Sequence, residues 1–475
     1  MANRWAIANG NWSATATWSG SIKPVAGDDV YSNNFTVNID ESFDVGSLRN
    51  AASASAIVAG GTFNFNSGSI SGSVTGATPL STNNATLLTF SHTTGAVTAS
   101  FTNNITNGTG NLISYTGNGD LNFNVPNFGT SGHVTFTNYI SKTGAGTLTL
   151  NANINPFQVG LNTVTNNFLS STNGNVIING NIGNSINNGS NNNIRTISVT
   201  AGTLTINGNV LPPAAYVSTN QTINMTGGTS LTINGQLLPG VGFNVNTAVP
   251  TTINGNVNSV TSYNALVTSN TLTVNGNLYG FNGTAPIYTV SANTININGN
   301  IFAQSGYGVY SATLAAIINI TGSVYAGQYP AVAVLGGGTV YLTGGNIYNY
   351  KGINAIWSPN LFIDSTVTTW QINTSRETTK TLYVSGTFPN LPAISNVRSG
   401  SAYGPSNSLV GTMKVPSSQD VRSGVAVDAT TGSAQLNAAD IISAINASND
   451  PLAIRLKSIL TDKTAGNLMS QYNNV

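Results

Sequence analysis

Cysteine is absent from the 475 residues, histidine occurs twice, and charged residues make up only 6%. Without cysteine there is no disulfide framework, no thiolate zinc site and no thiol nucleophile. A net charge of +1 provides neither a basic field for nucleic acid nor an acidic tail, so no nucleic-acid partner is expected. An ordinary globular chain is about 25% charged, so this surface must stay hydrated on Asn, Ser and Thr. No run of about 18 apolar residues occurs, and the opening MANRWAIANGNW lacks the apolar core of a signal peptide. The expectation is a chain without a visible export signal and without membrane insertion. No phosphate-binding glycine loop, zinc spacing or nucleophile elbow is present, and no cofactor is expected. What remains is 40% hydrophobic residues, alternating with polar ones, which argues for strands rather than disorder.

The few charges divide the chain. Between Asp44 and Asp364 only Arg49, Asp120, Lys142, Arg195 and Lys351 are charged, whereas Glu377 to Lys463 holds thirteen. This shift predicts a cap or attachment segment over 1–50, a near-neutral body over 51–360 and transition strands over 361–390. A separate module follows at 391–436, and a helical tail at 437–475.

The body repeats a phrase. It reads LTLNANI at 148–154, VIINGNI at 176–182, LTINGNV at 204–210 and LTINGQL at 231–237. It continues as TTINGNV at 251–257, LTVNGNL at 272–278, ININGNI at 295–301, INITGSV at 318–324 and YLTGGNI at 341–347. The central small residue runs Ala152, Gly180, Gly208, Gly235, Gly255, Gly276, Gly299, Gly322, Gly345, with spacings of 20 to 28. That period belongs to solenoids, and a propeller blade needs about 40–50 residues. Pairs such as Leu204 and Ile206 alternate with Thr or Asn, placing the aliphatics on one face of a strand. No amphipathic helix intervenes. The fold class expected is all-β: a parallel β-helix, or β-solenoid, with coils of about 20–28 residues, a small N-terminal cap and a short helical C-terminal segment. The Asn-Gly steps read as corners that tolerate positive φ.

An open solenoid end exposes a sheet edge and must be capped. Trp5, Trp12 and Trp18 are the candidates to cover the first coil. Asp28, Asp29, Asp40, Glu41 and Asp44 read as a solvated, edge-protecting cluster, with a calcium site as the alternative.

Directly after the phrase one position changes character along the body. It is Leu211, Leu238 and Asn258, then Tyr279, Phe302, Tyr325 and Tyr348, the last four spaced by 23. Each follows an aliphatic residue, so ring and aliphatic must face opposite ways. Three roles fit an outward aromatic ladder: stacking that stabilises the coils, a subunit contact, or a platform for glycan. The sequence leaves these open.

In the C-terminal module VRSG recurs at 397–400 and 421–424, each after a proline, Pro392 and Pro416. It reads as repeated turn architecture, with anion binding by Arg398 and Arg422 as the alternative. Asn437 ahead of Asp440, and Asp450 followed by Pro451, read as the starts of two helices. Their apolar faces must dock on the body or on further copies.

An enzyme on such a scaffold most often attacks polysaccharide and needs two carboxylates about 5–10 Å apart. Asp120 is the only acid between Asp44 and Asp364. His92 and His133 stand 41 residues apart. No catalytic residue is assigned and the chain is not expected to be an enzyme.

The opening GNWSATATWSG with the later GDDV resembles the start of bacteriophage virion proteins of the tail-fibre kind. The closing SAYGPSNSLVGTMKVPSSQDVRSGVAVDATTGSAQL, ADIISAI and PLAIRLKSIL resemble modules of phage fibre and tail-associated proteins. Together these cover roughly 100 residues. The opening is also similar to passenger regions of bacterial autotransporter adhesins, but those carry a signal peptide and a membrane barrel. The resemblance implies a homotrimeric virion appendage, a tail fibre assembled in the host cytoplasm. Its partners would be its own copies, other virion structural proteins and a host surface polysaccharide. The alternatives are a head or tail decoration fibre without receptor contact and, third, a polysaccharide depolymerase.

Overall fold

The computed structural model describes residues 2–53, 56–66, 69–74, 86–101, 111–128, 133–134, 138–154, 158–159, 167–183, 195–211, 221–238, 243–247, 249–258, 266–268, 271–280, 287–289, 294–311, 316–334, 338–349, 356–358, 360–364, 367, 381–384, 397, 399–403, 409–410, 412–413, 426–427, 430–431 and 438–461. They fall into two compact units, Met1–Thr387 and Phe388–Val475.

The first unit is a parallel β-solenoid. Two sheets of fifteen strands each and one of five run along it, and strands join their counterparts one coil away. The first wall carries the repeated phrase, in strands such as Thr203–Ile206, Ser230–Ile233, Thr271–Val274 and Thr294–Ile297. The five-stranded second wall comprises Val257–Asn258, Leu278–Gly280, Ile301–Ala303, Val324–Ala326 and Ile347–Asn349. The third wall runs from Gly10–Asn11 to Ile356–Trp357.

Alternation in sequence becomes alternation in burial. Leu204 and Ile206 are fully buried while Thr203 and Thr205 are half-exposed. Register then stacks like on like: Ile206 lies beside Ile233, Ile233 beside Ile253, Ile253 beside Val274 and Val274 beside Ile297. Each aliphatic so buried contributes about 1.5–3 kcal/mol. The inner column of the second wall extends backward through single bridges linking Ile154, Ile182, Val210, Leu237 and Val257.

Solenoid strands reach past both ends of the 51–360 body. Gly10–Asn11, Thr36–Ile39 and Phe43–Val45 already belong to the long sheets, and Asn360–Ile363 and Thr381–Val384 continue the first wall. Of these segments the first carries an Asn-Gly step, Asn9-Gly10, and the others lack the phrase but keep the alternation.

The role assigned to the phrase glycines needs correction. Gly180, Gly208, Gly235, Gly255, Gly276, Gly299 and Gly322 do not have left-handed φ; of the series only Gly345 does, at 70°. They are glycines because a Cβ on Gly276 would lie 2.2 Å from the Gly255 carbonyl oxygen, and one on Gly299 2.1 Å from that of Gly276. Corner backbone is stacked on corner backbone with no room for a methyl group.

Trp12 and Trp18 close the first coil, both buried, packed edge to face at 5.0 Å, with the Trp18 indole N–H donating to the Trp12 carbonyl. Trp12 also packs on Phe43 and Phe63. Trp5 is half-buried instead, at the end of the outermost strand, Asn3–Trp5. An antiparallel bridge between Ala6 and Trp18 covers the chain there.

In the second unit the described strands form two short antiparallel pairs, Ala402–Tyr403 with Leu409–Val410 and Ala426–Val427 with Thr430–Thr431. Helix α1 spans Ala438–Ala447 and α2 spans Pro451–Thr461. Asp450 caps α2, its Oδ1 accepting from the Leu452 N–H at 2.7 Å. Asn437, Arg398 and Arg422 lie outside the described residues.

Candidate functional site

Tyr279, Phe302, Tyr325 and Tyr348 lie side by side on the outer face of the second wall, in register across four coils. Their neighbours Leu278, Ile301, Val324 and Ile347 point inward and are buried. The rings are half-exposed. Centroids are 5.1, 4.6 and 4.7 Å apart, and the planes are within 10° of parallel. Each inner ring therefore has both faces covered by its neighbours, and the column presents edges outward. The Tyr279 and Tyr348 hydroxyls accept from the side-chain amides of Asn277 and Asn346, each at 3.3 Å. At the foot of the column, beside Tyr279, the Asn258 Oδ1 is buried and has no hydrogen-bond partner among the described residues.

The corner between the first and second walls is an amide ladder. The side-chain N–H of Asn179 donates to Asn151, that of Asn207 to Asn179, of Asn234 to Asn207, of Asn254 to Asn234, of Asn275 to Asn254 and of Asn298 to Asn275. The distances are 2.6 to 2.8 Å. After the corner glycine, a second asparagine turns its Oδ1 onto the next coil's backbone, as Asn277 does for the Asn300 N–H at 2.9 Å. The three letters Asn-Gly-Asn thus do three jobs: a side-chain ladder, a close backbone stack and a cap for the next corner.

Besides the column that the sequence marks, the described residues include aromatic groups that are not fully buried on the first wall and at a corner. On the first wall Tyr341 stacks on Phe362 at 4.7 Å, with Tyr383 next in register. The signal was present: VYL at 340–342 and LFI at 361–363 each place a ring between two inward aliphatics. At the corner between the second and third walls, Tyr307 meets Tyr310 at 5.2 Å and 67° and Tyr329 at 5.5 Å and 49°. Burial and the neighbouring Tyr310 and Tyr329 push the Tyr307 hydroxyl above its ordinary pKa.

The acids lie apart from these columns. Asp120 is exposed, and its Oδ1 accepts the Thr147 N–H at 2.8 Å. His92 is buried, stacks on Tyr115 and contacts the Asp120 backbone carbonyl at 2.8 Å rather than the carboxylate. His133 sits in a two-residue strand paired with Gln158–Val159. The N-terminal acids are not one solvated cluster. Asp28 is buried and pairs with Arg4, Asp29 pairs with Arg49, and Glu41 with Lys23. Asp40 accepts from Ser13; burial alone would raise its pKa, but the Ser13 hydrogen bonds outweigh that and hold it below the usual value. Among the described residues no three His, Asp or Glu side chains are grouped to hold a metal.

Lys142 is an unexpected interior charge, fully buried, with its ammonium donating to the carbonyls of Gly144 and Asn173. Burial depresses its pKa to about 8, against a smaller opposing pull from Asp120.

Comparison with protein-family models, with curated proteins and with solved structures returns no match to this chain.

Proposed function

We propose that the chain is a structural component of a bacteriophage virion, a tail fibre that contributes to host adsorption by binding surface glycan without catalysis. The observation that carries this reading is the outer surface around the aromatic column. Ring edges, tyrosine hydroxyls and laddered amides form a regular polar wall in a stretch with hardly any charge. Such a wall offers hydrogen bonds to a neutral saccharide and a rigid scaffold to hold them. The terminal resemblances support the virion assignment. The exposed apolar residues Ile441 and Ile442 of α1, with Leu452 and Ile454 of α2, support association with further copies, for which a homotrimer is proposed.

One observation favours the second reading, a head or tail decoration fibre. The inner rings cover one another's faces, the surfaces on which a sugar would stack, so the column serves cohesion or subunit contact as readily as binding.

The test is to incubate labelled protein with a panel of candidate host cells, measuring bound protein and released sugar together. Binding without release, weakened by Tyr325→Ala and Tyr348→Ala, is the expected result. Absence of both across a panel holding the true host supports the decoration fibre, and release of sugar overturns the non-catalytic assignment. The mass in solution checks the trimer.

A further inference from the structure

The Asn-Gly steps that build the corners are also the sequence most prone to spontaneous deamidation, since glycine leaves its own nitrogen unshielded. The structure separates those among the described residues into two groups. In the ladder, Asn179, Asn207, Asn234, Asn254, Asn275 and Asn298 each donate the side-chain amide to the preceding coil. Asn9 and Asn118 also use their side-chain oxygens between coils, on the backbone N–H groups of Thr36 and Ala145. Attack on any of these requires the side chain to leave its partner. Asn173 differs: its Oδ1 accepts, at 2.9 Å, from the N–H of its own following residue, Gly174. The hydrogen bond therefore holds the nitrogen against the Asn173 side-chain carbonyl, whose carbon must come within about 3–3.5 Å of it for attack.

A second feature acts on the same peptide unit. The Asn173 backbone carbonyl receives the buried Lys142 ammonium and, at 3.2 Å, the Ser171 hydroxyl. Loss of the Gly174 amide proton puts negative charge on that carbonyl oxygen, where both donors already point. The arrangement is that of an oxyanion hole, preorganised for an imidate. Asn173 itself is exposed, so hydroxide and water have access.

We propose that Asn173 is a self-activated deamidation site, with Lys142 and Ser171 stabilising the Gly174 amidate that attacks it. Hydroxide removes the Gly174 amide proton, and the nitrogen bonds to Asn173 Cγ. The Cγ–Nδ2 bond breaks, and ammonia leaves with a proton from water. Water then opens the succinimide at either carbonyl, giving an aspartyl or isoaspartyl residue. The net change is one water consumed and one ammonia released, with no redox step. The product places a negative charge on the residue whose carbonyl holds the buried Lys142 ammonium. The isoaspartyl form adds a backbone carbon at a corner where even a Cβ on Gly174 would come within 2.3 Å of the Ala145 carbonyl oxygen. Deamidation here would act as an irreversible age mark on the coil.

The experiment is peptide mapping by mass spectrometry after incubation of the full chain at neutral pH, where Lys142 keeps its proton, folded and in denaturant. Asn173 is expected to convert at least about tenfold faster folded than unfolded, while the ladder asparagines convert at least about tenfold slower folded than unfolded. Lys142→Met should remove the acceleration at Asn173 and leave the ladder sites unchanged. Ser171→Ala, a smaller change, should reduce it in part and serves if Lys142→Met does not fold. Conversion of Asn173 no faster folded than unfolded, or an acceleration that survives both substitutions, overturns the proposal.

Discussion

Lys142 lies with its ammonium 5.2 Å from the centroid of the Tyr115 ring, its register partner one coil earlier, and both residues are buried inside the solenoid. His92 stacks on the same ring at 5.8 Å. A chain almost free of charge thus spends one of its few cations in its core, where the ring and two carbonyls replace water.

This pairing predicts a pH profile. Lys142 falls from 10.5 to about 8 on folding, mainly through burial. Its cost to stability is full below about 8 and is relieved as pH rises toward 10.5. Tyr115 goes the other way: burial first, then Asp120, raises it from 10.0 to about 12. Its contribution is whole below pH 10 and is lost as pH climbs toward 12. The thermal midpoint should hold or rise between pH 8 and 10 and fall beyond. In Lys142→Met the fall should remain and the rise should vanish; a rise of unchanged size in the variant would show that Lys142 is not its source.

Gly276→Ala should cost at least about 3 kcal/mol, because backbone carbonyl, not a flexible side chain, occupies the space of the new methyl group. Gly95 has left-handed φ, but nothing lies within 4 Å of the point its Cβ would occupy. Gly95→Ala should cost only about 1–2 kcal/mol, the backbone strain alone. Denaturant unfolding of the two variants compares them directly, and equal losses would contradict the close-stacking account.

Asn234→Ala removes a donor to Asn207 and an acceptor for Asn254. On an exposed corner each bond is worth about 0.5–1.5 kcal/mol net, so the expected loss is about 1–3 kcal/mol. Asn234→Asp retains the acceptor but not the donor and should fall between. If Asn234→Asp is the more damaging at neutral pH, charge rather than the lost donor dominates.

Phe302 and Tyr325, stacked at 4.6 Å, should show a coupling of about 0.5–1.5 kcal/mol in a double-mutant cycle on stability. A coupling near zero would mean that the column contributes nothing to cohesion and is retained for contact with something else.

Trp12→Ala should destabilise the first coils by about 3–5 kcal/mol, since it removes the largest plug of an open core end. Limited proteolysis should then begin within the first fifty residues; cleavage elsewhere first would argue against Trp12 as the cap.

The sequence by itself determined the solenoid, because aliphatic alternation at a period of 20–28 residues leaves a strand one face to bury and a neighbouring coil to bury it against. It also placed the outward column: Tyr279, Phe302, Tyr325 and Tyr348 each follow an inward aliphatic, and a strand's two-residue period allows only one result. Other features depend on distances between coils, which no single phrase contains. The corner glycines looked like φ-tolerant turn residues, and only stacking at carbonyl contact shows that space is what selects them. Asp28 looked solvated until Arg4 and the Ala2 and Val25 N–H groups were brought to it. Lys142 and Asn173 are thirty-one positions apart, and their meeting rests on register between neighbouring coils. Periodicity is a local property that a sequence displays directly; contact between coils is a property of how the periods are laid on one another, and that was decided only when the chain wound.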